Sequence, residues 1–190
     1  MPFDIDAARG LAAQYFSHGS DRWLHAQATA RRAEQLAPVV GPLDREVLGC
    51  AAWLHDVGYC APAAPTGFHP VDGALMLQEA GWPARVVALV AHHGEARVTA
   101  AALGLAEALA PFRREEGPLT DALVYADLAA GPDGRRMSLH ERLDDIDRRH
   151  AGDPPALREA WSRRRAALIQ AATRTEQRMA GAHRCGRVSA

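Results

Sequence analysis

The chain has 190 residues, 48% of them hydrophobic, enough for one compact domain with a substantial core. Its 22 basic residues, all arginine, nearly cancel 23 acidic ones. This balance excludes the large basic field that holds nucleic acid by counterion release, so a nucleic-acid partner is not expected. Cys50, Cys60 and Cys185 have no paired spacing, which speaks against a disulfide framework or a zinc–thiolate cluster. An acidic start, Met1-Pro2-Phe3-Asp4, and the lack of an apolar run near the roughly 18 residues of a membrane span imply a cytoplasmic protein with no membrane partner. Nothing in the sequence assigns an oligomeric state.

Apolar residues recur at three- and four-residue steps between Pro/Gly breaks, with almost no strand signal, so an all-α helical bundle is predicted. A first helix is expected from about Ile5 to Phe16, and a second, capped by Ser20 or Asp21, runs to Pro38. A third opens at Pro42-Leu43-Asp44, with Asp44 as cap, and ends at His55-Asp56 before Gly58. Cys60 to Gly67 reads as a loop, and Pro70 to Ala80 as a helix. The run Val86-Val87-Ala88-Leu89-Val90 is apolar on all sides and predicts a buried central helix from Ala84 to His93. One helix is then expected over Ala96 to Leu109 and another from Thr120 through Asp127. Ser138 and Glu141 form a capping-box pattern for a helix to about Arg149, and Pro154-Pro155 opens a long helix to about Met179. These last two read mainly as scaffold, and residues 181–190 as a frayed tail.

The chemistry lies in polar side chains set on apolar helices. Leu54-His55-Asp56-Val57-Gly58 places two potential ligands where a buried helix ends. Burying a carboxylate costs several kcal/mol, roughly, unless a cation compensates it, and a metal ion would do so. His25 and Asp127 are likewise polar residues within apolar stretches. The histidines at 18, 140, 150 and 183 read as surface residues.

The ordered set His25, His55-Asp56 and Asp127 on an all-helical chain resembles the HD superfamily of metal-dependent phosphohydrolases, over roughly Ser20 to Arg149. The resemblance implies a single HD-type domain, with its motif-bearing core at about 20–150 and a C-terminal helix at about 154–179, and a metal held by those four residues. In two-metal branches of the superfamily, histidines between the pair and the final Asp hold a second ion, and His69 and one of His92 and His93 match that order. Neighbouring helical residues point about 100° apart, so one of the two is expected to face the metal. His92 is favoured, leaving His93 for proton transfer. In the reverse assignment His92 is the catalytic acid.

Two imidazoles and two carboxylates suit Mn, Fe, Co or Ni, as one ion or two, and leave positions open for water and substrate. The implied function is hydrolysis of a small phosphoester, nucleotide or phosphodiester. The alternatives are a mixed-valence diiron oxygenase, whose ligand order is similar, and a metal-containing binding module without catalysis. Arg22, one turn before His25, is a candidate substrate contact or a salt-bridge partner, and Arg135, with Arg136, follows the loop after Asp127. The sequence departs from familiar subgroups in three places. Tyr59 stands where many members have lysine. Gly-Tyr-Pro is missing after His92-His93, so the cyclic-di-GMP branch is not implied. Val57 to Pro62 contains no carboxylate, which disfavours alarmone hydrolysis.

Overall fold

The computed structural model of the chain describes residues 3–60 and 64–188, apart from the side chains at 183 and 185–188. The readings of His183 and Cys185, of Pro62 in the loop, and of tail residues 189–190 fall outside what is described. Among the described residues there is no strand, only an isolated bridge between Ala130 and Arg136. None of their helices is long and apolar enough to cross a membrane.

The helices are α1 (Ile5–Tyr15), α2 (Asp21–Leu36), α3 (Arg45–Leu54), α4 (His69–Glu79), α5 (Ala84–His92), α6 (Ala96–Ala102), α7 (Ala106–Leu109), α8 (Pro118–Leu128), α9 (Leu139–His150) and α10 (Pro155–Val188). Local chemistry sets several of their ends. Ser20, rather than Asp21, caps α2 by accepting the Trp23 N–H. Ser138 and Glu141 form the expected capping box at α9.

Three expectations are corrected. Asp44 does not cap α3: its backbone is already helical, and its carboxylate accepts from Arg85 of α5. The segment 96–109 is two helices because Gly104, at φ 72°, turns the chain left-handed between them. Finally, α10 continues to Val188 rather than stopping near Met179, since no proline interrupts its Ala- and Arg-rich last turns.

The main core is built by α1 to α5 with the first half of α8. Leu36, Leu48, Leu54, Leu77, Leu119 and Leu123 are fully or almost fully buried, each contributing about 1.5–3 kcal/mol of transfer free energy. Along α5 every residue from Val86 to Ala91 is buried, as its uniformly apolar sequence predicts. A smaller cluster forms on the other face of α8, where Val124 and Leu128 meet Leu143 and Ile146 of α9 and Trp161, Leu168, Ala171 and Ala172 of α10. The helix carrying Asp127 is therefore packed on both sides.

The far half of α10 is tied to α8 by an ion cluster. Arg174 donates to both oxygens of Asp121 at 2.6 and 2.9 Å, and Arg178 donates at 2.7 Å. Burial pushes the Asp121 carboxyl up, but the two arginines outweigh it and leave its pKa below the ordinary value. A carboxylate with a depressed folded pKa stabilises above its unfolded pKa of about 3.9, and this contribution is lost as pH falls through the folded value. Asp121→Asn should therefore cost about 2 kcal/mol at pH 7, where two partly exposed arginines can rehydrate. Urea unfolding at pH 7 and at about pH 3 checks this, because the gap between the two proteins should shrink at the lower pH.

Candidate metal centre

Five chain segments deliver the polar residues to one place. From α2, Arg22 and His25 project one turn apart, and α3 ends at His55, with Asp56 in the following turn. Next, Val57–Cys60 forms a 3-10 turn that presses on the start of α4. A Cβ on Gly58 would lie 1.9 Å from the His69 carbonyl oxygen and 2.6 Å from the Gly73 nitrogen, so only glycine permits this approach. The contact sets His69 beside Asp56. Buried Asp72 supports it by accepting from the Thr66 backbone N–H and hydroxyl, pinning the preceding loop to α4.

The fourth delivery is at the end of α5. His93 leaves helical geometry at ψ 153°, after which Gly94 and Glu95 are both left-handed, at φ 55° and 58°. Left-handed backbone at a non-glycine residue costs on the order of 1 kcal/mol or more, and Glu95 is held there by ion pairs to Arg97 and Arg114. Asp127 arrives from α8.

His25 Nε2 lies 3.2 Å from His55 Nε2 and 3.2 Å from Asp127 Oδ1. On the other side, His69 Nε2 and His93 Nε2 are 3.1 Å apart. Asp56 sits between the two pairs. Its Oδ1 is 3.6, 3.5 and 3.7 Å from the Nε2 atoms of His55, His69 and His93, and its Oδ2 is 3.9 Å from that of His25. Two triplets able to hold a metal therefore share one carboxylate: His25, His55 and Asp56, and Asp56, His69 and His93.

The donor chemistry fits a metal. Three rings donate Nδ1–H to backbone carbonyls: His25 to Gly131 at 3.1 Å, His55 to Ala52 at 2.9 Å and His93 to Val90 at 2.7 Å. In each neutral ring this puts the lone pair on Nε2, facing the cluster. Two nitrogens about 2.1 Å from one ion stand roughly 3.0 to 3.4 Å apart at octahedral or tetrahedral angles, which brackets the spacing of both pairs. The buried His/Asp cluster is thus compatible with a divalent metal.

The titration behaviour agrees. Burial would raise the Asp56 carboxyl, yet the surrounding imidazoles pull it well below the ordinary range. Asp127 is also lowered against its burial, through its hydrogen bond with His25, whose own pKa is raised by that partner despite burial. Burial lowers His93 to about 4, helped by repulsion from His55, and lowers His69 likewise, helped by His93. At neutral pH the His69–His93 pair is therefore uncharged and able to act as a ligand.

Not every predicted residue is here. His92, expected as a ligand or catalytic acid, points away, with its Nε2 donating to the Phe112 carbonyl at 2.8 Å. The residue that faces the cluster is His93. The 100° rule correctly selects one of the two, but the left-handed turn at Gly94 and Glu95 decides which. Arg135 is also outside the site, exposed and paired with Asp133. Arg136 lines a separate cavity beside Arg32 and Tyr125. Arg22 makes the salt bridge, its Nη1 donating to Asp56 Oδ2 at 2.7 Å, and it also lines the pocket. Its guanidinium lies 3.5 Å over the Tyr59 ring, which in turn stacks on His69 at 3.8 Å. The aromatic ring at the common lysine position thus backs the imidazole of a candidate ligand rather than supplying a charge.

The centre opens into a cavity of about 230 Å³. Its walls include residues the sequence reading missed: Arg142, Arg149 and His150 of α9, and Arg164 of α10. The two helices expected mainly as scaffold therefore complete the site, and His150 is not simply a surface histidine. A signal was available, because Trp161, Arg164 and Leu168 fall at i, i+3 and i+7 and place an arginine in an apolar stripe. Arg142 similarly lies one turn before Ile146.

The histidine- and aspartate-lined cluster at the heart of this all-helical domain is of the class able to hold a divalent metal. A sequence model of the HD domain matches residues 22–152, and the chain belongs to the HD-domain family, whose members are generally metal-dependent phosphohydrolases. Searches of curated proteins and of solved structures returned no significant match.

Proposed function

We propose that the protein is a metal-dependent phosphohydrolase acting on a small phosphoester. The observation that carries this reading is the pair of triplets sharing Asp56, set at the floor of an arginine-walled cavity. His25, His55, Asp56 and Asp127 would hold one divalent ion, and His69 and His93, with Asp56, a second. Mixed nitrogen and oxygen donors suit Mn, Fe, Co or Ni. A divalent ion bound there supplies Lewis acidity and a water of lowered pKa.

The chain's own groups do the rest. Arg22 offers guanidinium N–H groups to a phosphoryl oxygen, and Arg142, near Asp127, adds positive charge to the wall. Low solvent access around His55, Asp56 and His93 strengthens these interactions over their values in water. The cavity lies below the 300–1,000 Å³ typical of drug-sized sites, so it favours a compact substrate over a dinucleotide.

Given Mn²⁺, Co²⁺ or Ni²⁺, the purified protein should release phosphate from a member of a panel of phosphomonoesters, nucleotides and phosphodiesters, and chelation should stop it. His93→Ala should lower that rate about 100-fold or more, whereas His92→Ala should change it only a few-fold. The convergence of His69 and His93 on Asp56 also favours a second reading, a diiron oxygenase, because it completes a six-residue two-metal set. Oxygen uptake dependent on an organic substrate, with no phosphate released, would select that reading. Bound metal with neither activity would select a binding module.

A further inference from the structure

Of the four arginines lining the cavity, three already have carboxylate partners: Arg22 with Asp56, and Arg142 and Arg149 with Asp145. The neighbours of Arg164 along α10 are also paired, Arg163 with Glu159 and Arg165 with Asp147. Arg164 is different. It is partly buried, yet among the described residues no carboxylate lies within ion-pair distance, and its only hydrogen bond runs from Nε to the Gly94 carbonyl. Of its five N–H donors, the four on the two terminal nitrogens have no acceptor among the described residues.

This placement is built rather than incidental. A Cβ on Gly94 would stand 2.7 Å from Arg164 Nη2 and 3.9 Å from Asp127 Oδ2. Glycine at 94 therefore serves two purposes: it accepts the left-handed turn that aims His93, and it leaves the space that the guanidinium fills. The same two-residue turn seats a histidine of the cluster and a cation that, among the described residues, has no carboxylate partner and only the Trp161 ring, 5.7 Å away, beneath it. The cavity wall carries four arginines against the carboxylates of Asp56 and Asp127, and with Asp145 behind Arg142 and Arg149 an excess of one positive charge remains before any metal is counted.

We propose that Arg164 is the substrate-anchoring residue of this centre, seated on Gly94, and that with Arg22 it grips a terminal dianionic –PO₃ group, as in a phosphomonoester or a phosphonate. The inference rests on the metal-centre reading above and adds the charge class of the ligand and the residue that selects it. A guanidinium fork matches two oxygens of such a group, and an arginine without a carboxylate partner beside a metal-held charge favours a dianion over the single charge of a diester.

The test uses the full-length, metal-loaded protein and calorimetric titration with orthophosphate, methylphosphonate and dimethyl phosphate at about pH 8.5, where the first two are chiefly dianions. Wild type should bind the dianions and prefer them clearly to dimethyl phosphate. Arg164→Leu, which removes the guanidinium and keeps an apolar side chain, should weaken orthophosphate binding about 10- to 100-fold with metal content unchanged, and Arg164→Lys should restore part of it. Gly94→Ala should reproduce the loss by displacing the guanidinium. If that variant fails to fold, the Arg164 pair still decides. Unchanged orthophosphate affinity in metal-replete Arg164→Leu overturns the proposal and leaves the metal centre standing, as does equal wild-type affinity for the diester. A wild type that takes up no metal fails earlier, at the centre itself, and removes the inference with it. Release of phosphate from phenyl phosphate identifies an ester as the source, whereas dianion binding without such release, accompanied by phosphonate-dependent oxygen uptake, identifies a phosphonate.

Discussion

Replacing Asp56 with alanine should reduce bound metal to near zero while leaving the helical fold in place. Asp56 is the one residue common to both triplets, and it approaches all four imidazoles. Without it, the His69–His93 pair is left with no carboxylate and the His25–His55 pair with Asp127 alone, so the charge shared between the two sites is lost. The fold does not depend on it in the same way, since its other contact is Arg22, whose side chain is 43% exposed and can rehydrate. Elemental analysis and circular dichroism after purification in Mn²⁺ or Fe²⁺ test both halves. Metal at wild-type stoichiometry in Asp56→Ala would end the assignment of this centre.

The second large effect is expected from the addition of a single methyl group. Gly58→Ala should destabilise the protein by about 3 kcal/mol or more, with a fall in Tm of roughly 10 °C. The new Cβ would collide with main-chain atoms of His69 and Gly73, which cannot rotate aside as the end of a side chain can. Relief requires α4 to move away from the 57–60 turn. Gly73 is constrained by the same contact, less severely, since a Cβ there would stand 2.9 Å from the Gly58 nitrogen. Because α4 carries His69, the variant should also bind metal more weakly even where it remains folded. Thermal unfolding within about 0.5 kcal/mol of wild type would show that the two segments are not in this contact.

What the sequence revealed and what it concealed divide along the range of the interactions involved. Caps at Ser20 and Ser138, and the buried run of α5, depend on residues within a turn or two and were readable. So was the order His25, His55-Asp56, Asp127, because polar residues on apolar helices demand a compensating partner. The choice between His92 and His93 was not readable, since it turns on left-handed geometry at Glu95, a residue type that seldom adopts it. Asp44 looked like a cap because Arg85, its actual partner, lies 41 residues away. Arg164 escaped for a similar reason: its place in the stripe of Trp161 and Leu168 marks it as inward-facing, but nothing local shows that it faces a cavity assembled from α2, α4, α8 and α9.

The main-chain hydrogen bonds that orient His25, His55 and His93 bear on how this centre tolerates mutation. Elsewhere an imidazole is often steered by a carboxylate or amide side chain, which one base change can remove. Here the acceptors are the carbonyls of Gly131, Ala52 and Val90, and every amino acid carries a carbonyl. Two of the three lie three residues before the histidine they hold, so each acceptor travels with its own helix end. Substitutions at 52 and 90 can alter volume and packing without deleting the acceptor. The surrounding sequence is therefore free to drift a long way while the lone pairs keep their aim.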